Sequence, residues 1–177
     1  MGFVLNLFYA IGLIASSAFP GRDSMIVGVI GSDGEISEEQ RRNAEDVGRM
    51  LAERGAILVC GGLGGVMEVA CRGVKSAKGL TVGILPSEER KAANKYVDVP
   101  IATGMGVARN VIIVRTADVL IAVGGRYGTL SEIGHALSMG KKVISLNAWE
   151  SLGPNASENL IFASTAEEAI ELAFRDL

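Results

Sequence analysis

The sequence predicts an α/β fold: a Rossmann-like open parallel sheet sandwiched by helices, in a single domain. Three observations carry this. Apolar runs without polar alternation recur along the chain: MIVGVIGS (25–32), AILVC (56–60), LTVGILP (80–86) and VLIAV (119–123). Strands buried on both faces of a parallel sheet read this way. Helical stretches of roughly 10–15 residues separate the runs, the pattern of βαβ units with right-handed crossovers. Glycine clusters stand directly after the runs, at strand carboxyl ends, where open α/β sheets place their ligand loops.

Each element has its own signal. The first strand runs over 25–32 and ends in Gly31-Ser32-Asp33-Gly34. Ser37-Glu38-Glu39-Gln40 is a capping box, and Ala44, Val47, Met50 and Leu51 continue it as a helical apolar stripe ending at Gly55. The second strand, 56–60, leads into Gly61-Gly62-Leu63-Gly64-Gly65, then a helix over Val66–Lys78 and a third strand over 80–86. Ser87–Asp98 is charged and polar, a solvated loop or a lid. VPIAT (99–103) is a short strand, Gly104–Thr116 a helix, and Val119–Val123 the fifth strand. A helix over Gly128–Gly140, a strand KVISLN (142–147) and an amphipathic helix over Glu167–Asp176 close the chain.

Residues 1–24 do not match this pattern. From Phe3 to Phe19 there is no charge, yet no Lys or Arg precedes the run as a signal peptide requires, and it is short for a membrane span. Met25 reads as a natural start, with 1–24 an extension outside the 25–177 ligand-binding domain. A packed extra helix or an oligomer contact is the alternative, ahead of a membrane anchor.

With 177 residues, 49% hydrophobic and 21% charged, the chain has the makings of one proper core. A net charge of −3 and 5% aromatic content argue against nucleic acid, which needs a basic face and stacking platforms. Two cysteines, Cys60 and Cys71, and a single histidine, His135, form no metal-ligand spacing, so no metal site is expected. Buried free thiols fit a cytoplasmic protein.

The functional signal is Val119–Glu132, VLIAVGGRYGTLSE. A strand running into glycines and then a helix start presents unpaired N–H groups and a partial positive charge, the geometry that holds a phosphate. Two familiar motifs fail. Gly124 to Thr129 lacks the lysine of a P-loop, and Gly62-x-Gly64 is followed by Met67 where a dinucleotide fingerprint has its third glycine. No cofactor is required on these grounds.

Taken together, Gly31-Ser32, Gly61–Glu68, Gly104–Asn110 and Gly124–Glu132 resemble the Lonely Guy (SLOG) superfamily, some of whose members carry the old label lysine decarboxylase. The resemblance spans about Met25 to Asn147. Its enzymatic branch cleaves the N-glycosidic bond of a nucleoside 5′-monophosphate. Carried over, Arg109 and Glu132 match the catalytic arginine and glutamate, and Gly124, Gly125, Gly128 and Thr129 the phosphate loop. Val123 replaces that branch's proline and Asn110 its lysine. The run ARN and VGGRYGTLSEI look closer to a sister branch that includes a molybdenum-cofactor carrier.

The resemblance therefore implies binding of a phosphorylated nucleotide- or pterin-type ligand, with a nucleotide or molybdenum cofactor as bound molecule. Its alternatives are a phosphoribohydrolase using Glu132 and Arg109, and a non-enzymatic sensor or interaction module. The expected ligand residues are Gly31, Ser32, Gly62, Gly64, Gly65, Gly124, Gly125, Gly128, Thr129 and Asn110. Glu132 has a rival reading: Thr129-Leu130-Ser131-Glu132 is itself a capping box. Arg109 lies among Val107, Ala108, Val111 and Ile112, where a lone cation needs a specific partner. Arg126 and Tyr127 shape or cover the pocket, and His135 is packed or on the surface. The helix Val107–Thr116 is apolar on more than one face, which with the resemblance predicts a homo-oligomer, dimer or tetramer.

Overall fold

The computed structural model describes residues 23–149 and 158–175. The extension expected over 1–24 lies, up to residue 22, outside them. The elements run β1 (Ile26–Gly31), α1 (Glu38–Glu53), β2 (Ile57–Cys60), α2 (Gly65–Ser76), β3 (Thr81–Leu85) and β4 (Val99–Ala102). Then follow α3 (Asn110–Thr116), β5 (Val119–Val123), α4 (Tyr127–Ser138), β6 (Val143–Leu146), β7 (Leu160–Ala163) and α5 (Ala166–Phe174), with short 3-10 turns at Arg90–Ala92 and Gly106–Arg109.

All seven strands pair in parallel in the order β4-β3-β2-β1-β5-β6-β7. The chain starts at the centre, winds outward through β2, β3 and β4, then returns to lay β5 on the other side of β1. The period-2 pleat divides the strand side chains between two cores. Val27, Val29, Val119, Ile121 and Val123 face α1, α2 and α5. Ile30, Leu120 and Ala122 face α3 and α4. Both faces of β5 are fully buried, which is why its sequence is an unbroken apolar run.

The capping box forms as expected at α1: Ser37 Oγ accepts from the Gln40 N–H at 3.1 Å and Gln40 Oε1 from the Ser37 N–H at 3.0 Å. Three sequence expectations need correction. β7 was not anticipated; LIFA is only four residues long and pairs with β6 alone, too short for its periodicity to separate strand from helix. The helix expected over Gly104–Thr116 is a 3-10 turn followed by the short α3, because Gly104 and Gly106 take φ of +64° and +56°. The capping box expected at Thr129–Glu132 does not form: α4 begins at Tyr127 with Arg126 as its N-cap, so Thr129 is already helical. Among the described residues no helix is long and apolar enough to cross a membrane.

Candidate functional site

The strand order creates a crevice where neighbouring connections leave β1 in opposite directions, and ligands of open α/β sheets occupy this place. A cavity of about 340 Å³ opens here at the strand carboxyl ends. β1 contributes Gly31, Ser32 and Asp33, and the turn after β2 contributes Gly61 and Leu63. From the 3-10 turn and α3 come Gly106, Val107, Arg109 and Asn110; from the start of α4 come Arg126, Gly128, Thr129 and Glu132.

Arg109 ends the 3-10 turn and is carried into the protein, with 7% of its surface exposed. Its guanidinium packs against Gly61 so closely that a Cβ there would lie 2.3 Å from an Arg109 nitrogen. Arg109 Nε is buried with no hydrogen-bond partner. Burial lowers the Arg109 pKa, with the charges of Glu132 and Asp33 acting the other way. Glu132, one turn into α4, is 6% exposed, and its carboxylate accepts no hydrogen bond among the described residues. Burial pushes its carboxyl up to about 7, against the pull of the Arg109 charge. A buried cation with an idle donor and a buried acid with idle oxygens thus line one cavity, and both are costly without a ligand.

The anion-binding geometry is also present. Gly124 donates its N–H to Leu146 O at 3.1 Å, so that amide is spent on the sheet. The N–H groups of Tyr127, Gly128 and Thr129, the first three of α4, donate to no protein acceptor among the described residues. Gly128 and Thr129 line the same cavity as Arg109. Together they offer a helix N-terminus plus a guanidinium, which suits a phosphate oxygen set.

Of the residues singled out from sequence, the cavity brings together Gly31, Ser32, Arg109, Asn110, Gly128, Thr129 and Glu132. Gly62, Gly64, Gly65, Gly124 and Gly125 do not line it. Gly65 buttresses the wall, since a Cβ there would sit 2.2 Å from Ser32 O, and Gly125 packs on Thr129. Arg126 lines the cavity, while Tyr127 is 83% exposed with its ring 6.2 Å from that of Trp149. His135 lies on the exposed face of α4. The loop 87–98 adds no lining; Asn94 instead ties it to Gly62 O and Leu63 O.

Sequence reasoning passed over Gly61, Asp33, Gly106 and Val107. The pleat held a signal for Gly61: Cys60 faces the α1/α2 core, so the next residue turns to the opposite side, where Arg109 arrives. For Val107 no signal existed.

Comparison with known proteins agrees with this architecture. The sequence profile described as the SLOG cluster4 family matches residues 24–174. An uncharacterised protein of Archaeoglobus fulgidus is 50% identical over 146 residues, covering 82% of this chain and 92% of its own. The molybdenum cofactor binding protein of the phototrophic bacterium Rippkaea orientalis superposes with a TM-score of 0.82 at 42% identity, over 86% of this chain and 96% of its own. The molybdenum cofactor carrier protein of Chlamydomonas reinhardtii does so with 0.76 at 34% identity, over 84% and 96%.

Proposed function

This chain belongs to the SLOG cluster4 family, and we propose that it binds a phosphorylated pterin-type ligand of the molybdenum-cofactor class at the carboxyl ends of β1, β2 and β5. The observation that carries the reading is the cavity shared by Arg109, with its idle buried Nε, and by Gly128 and Thr129, whose N–H groups donate to no protein acceptor among the described residues. The residues fit the phosphate end of such a ligand: backbone amides and the α4 dipole hold the anion, and Arg109 adds a charge-assisted bond. Likeness to two proteins that bind or carry the molybdenum cofactor supports the choice of ligand class. The mostly apolar remainder of the cavity (Val29, Leu63, Met67, Val107) suits a flat heterocycle. Extraction of the purified protein followed by mass spectrometry tests this. A pterin phosphate retained by the wild type and lost in Arg109→Ala is expected, whereas a protein that neither retains nor takes up any phosphorylated heterocycle overturns it.

A second reading is favoured by one observation. Glu132, buried in the cavity with a pKa of about 7, stands where a carboxylate could orient water or stabilise an oxocarbenium-like ribose. Release of adenine from AMP, abolished in Glu132→Ala, is the result that selects this phosphoribohydrolase reading over simple carriage.

We also propose that the chain assembles with itself. Val99 and Ile101 of β4 pair with Val82 and Ile84 and so point to the α3/α4 face, yet they remain 44% and 43% exposed. Met105 and Val107 continue this apolar surface to the cavity rim. A second copy covering it accounts for both, and light scattering on the eluting protein distinguishes dimer or tetramer from monomer. Residues 1–24 are read as an extension whose deletion leaves that assembly unchanged.

A further inference from the structure

The two cysteines of the chain, 11 positions apart, meet in the core with their sulfurs 3.6 Å apart. Cys60 is the last residue of β2, and Cys71 lies on α2 where that helix packs over the strand. The pair sits directly behind the candidate site: Gly61, next to Cys60, holds Arg109, and Met67, one turn before Cys71, lines the cavity. Two free thiols at contact distance have no packing need to be cysteine, since a small apolar residue fills the same space.

We propose that Cys60 and Cys71 form an oxidisable dithiol that hydrogen peroxide closes to an intramolecular disulfide. Cys60 is the sulfur oxidised first, its thiolate attacking a peroxide oxygen. The hydrogen bond between it and Cys71, the Gly62 N–H donating to its sulfur at 3.3 Å, and the Arg109 charge all favour its thiolate. That same hydrogen bond and burial push Cys71 up, so it keeps its proton until the second step. The Cys60 sulfur takes one peroxide oxygen to give a sulfenic acid, and the other oxygen leaves as water. The Cys71 sulfur then attacks the sulfenyl sulfur, the S–O bond breaks, and hydroxide leaves with the Cys71 proton as a second water. Both electrons given up by the two thiols reduce one peroxide. A small oxidant is required, because both sulfurs are fully buried and a bulky disulfide cannot reach them.

In this proposal the strand end yields toward α2 as the two sulfurs, 3.6 Å apart in the reduced protein, become bonded. Gly61 moves with Cys60, and with it the surface on which the Arg109 guanidinium rests. The disulfide thus reports on the cavity wall whatever ligand occupies it.

The test uses the full chain treated with excess hydrogen peroxide, then unfolded and alkylated. Two alkylatable thiols are expected before treatment and none after, with a mass loss of two hydrogens reversed by dithiothreitol and a Cys60–Cys71 peptide in the digest. Peroxide should also slow amide exchange across the turn 61–67. Cys71→Ala should stop at a Cys60 sulfenic acid captured by a dione reagent, and Cys60→Ala should leave Cys71 reduced. Retention of two alkylatable thiols in the wild type, or linkage only between chains, overturns the proposal. Unchanged exchange over 61–67 in a disulfide-bearing protein overturns its coupling to the cavity.

Discussion

The turns after β2 and after β5 share one grammar: a buried strand, two glycines, a short bend and a helix start. Their backbone groups go to different places. After β2 several of these groups are tied to other loops inside the protein. Gly64 donates to Asp33 Oδ1 at 3.1 Å, Val66 to Ser32 O at 3.0 Å, and Gly62 O receives Asn94. After β5 only Gly124 is spent, and the next helix opens with three undonated N–H groups, two of them from the cavity-lining Gly128 and Thr129. The first turn is therefore a joint between loops and the second is free for a ligand. What distinguishes them is the neighbour: the β1 loop lies against the first turn and leaves the second uncovered.

Five substitutions break or sharpen this contrast. The largest effect belongs to the joint. Gly65→Val combines φ of +59° with a Cβ 2.2 Å from Ser32 O, and should cost about 2–4 kcal/mol in urea unfolding. If Gly65→Val unfolds like the wild type, the joint does not hold the β1 loop.

Next comes Glu132. Its folded pKa of about 7 exceeds the ordinary value of 4.5, so the folded state binds the proton more tightly. Stability from this group is then highest below pH 4.5 and declines as pH rises toward 7, where the carboxylate is ionised in its buried place. Glu132→Gln removes that penalty and should stabilise by about 2–3 kcal/mol at pH 8 while changing little at pH 4. A constant difference between the two pH values would show that Glu132 is not held in a desolvated setting.

The ligand side of the contrast is tested with AMP as a phosphate probe. Arg109→Gln should weaken its binding roughly 10- to 100-fold, the worth of a charge-assisted bond. Gly61→Ala, which leaves Arg109 in place but thrusts a methyl into its guanidinium, should produce a comparable loss by calorimetry. Equal affinities in all three proteins would remove Arg109 from the site.

The smallest effect on stability is the most discriminating. A Cβ at Gly128 meets nothing within 4 Å, and the residue is helical. Gly128→Ala should therefore stabilise the fold by about 0.5 kcal/mol while reducing AMP affinity, because the methyl projects at the cavity. A loss of stability here with unchanged binding would assign the second turn to the frame as well.

Much of this was legible beforehand. The β1, β2, β3 and β5 runs announced themselves because strands buried on both faces carry no polar residues, and Ser37–Gln40 announced α1 because its cap is made within four residues. β7 was hidden by its brevity; the start of α4 was legible to within one residue, although Thr129 carries the chemistry of a cap from inside the helix. Arg109 stood out as a charge among apolar neighbours, and Glu132 through the resemblance of the Gly124–Glu132 motif. Gly61 did not, since its role is to leave room for a side chain 48 positions away.

By itself the sequence determined which segments become strands and helices and that their glycine turns gather at one edge of the sheet, for periodicity and capping act over a few residues. Only the tertiary structure decided which turn is tied to the β1 loop, that Arg109 and Glu132 share a cavity, and that Cys60 meets Cys71. Each of those depends on which loop lies beside which, and that is settled by the strand order and by burial, whose partners are distant in the chain.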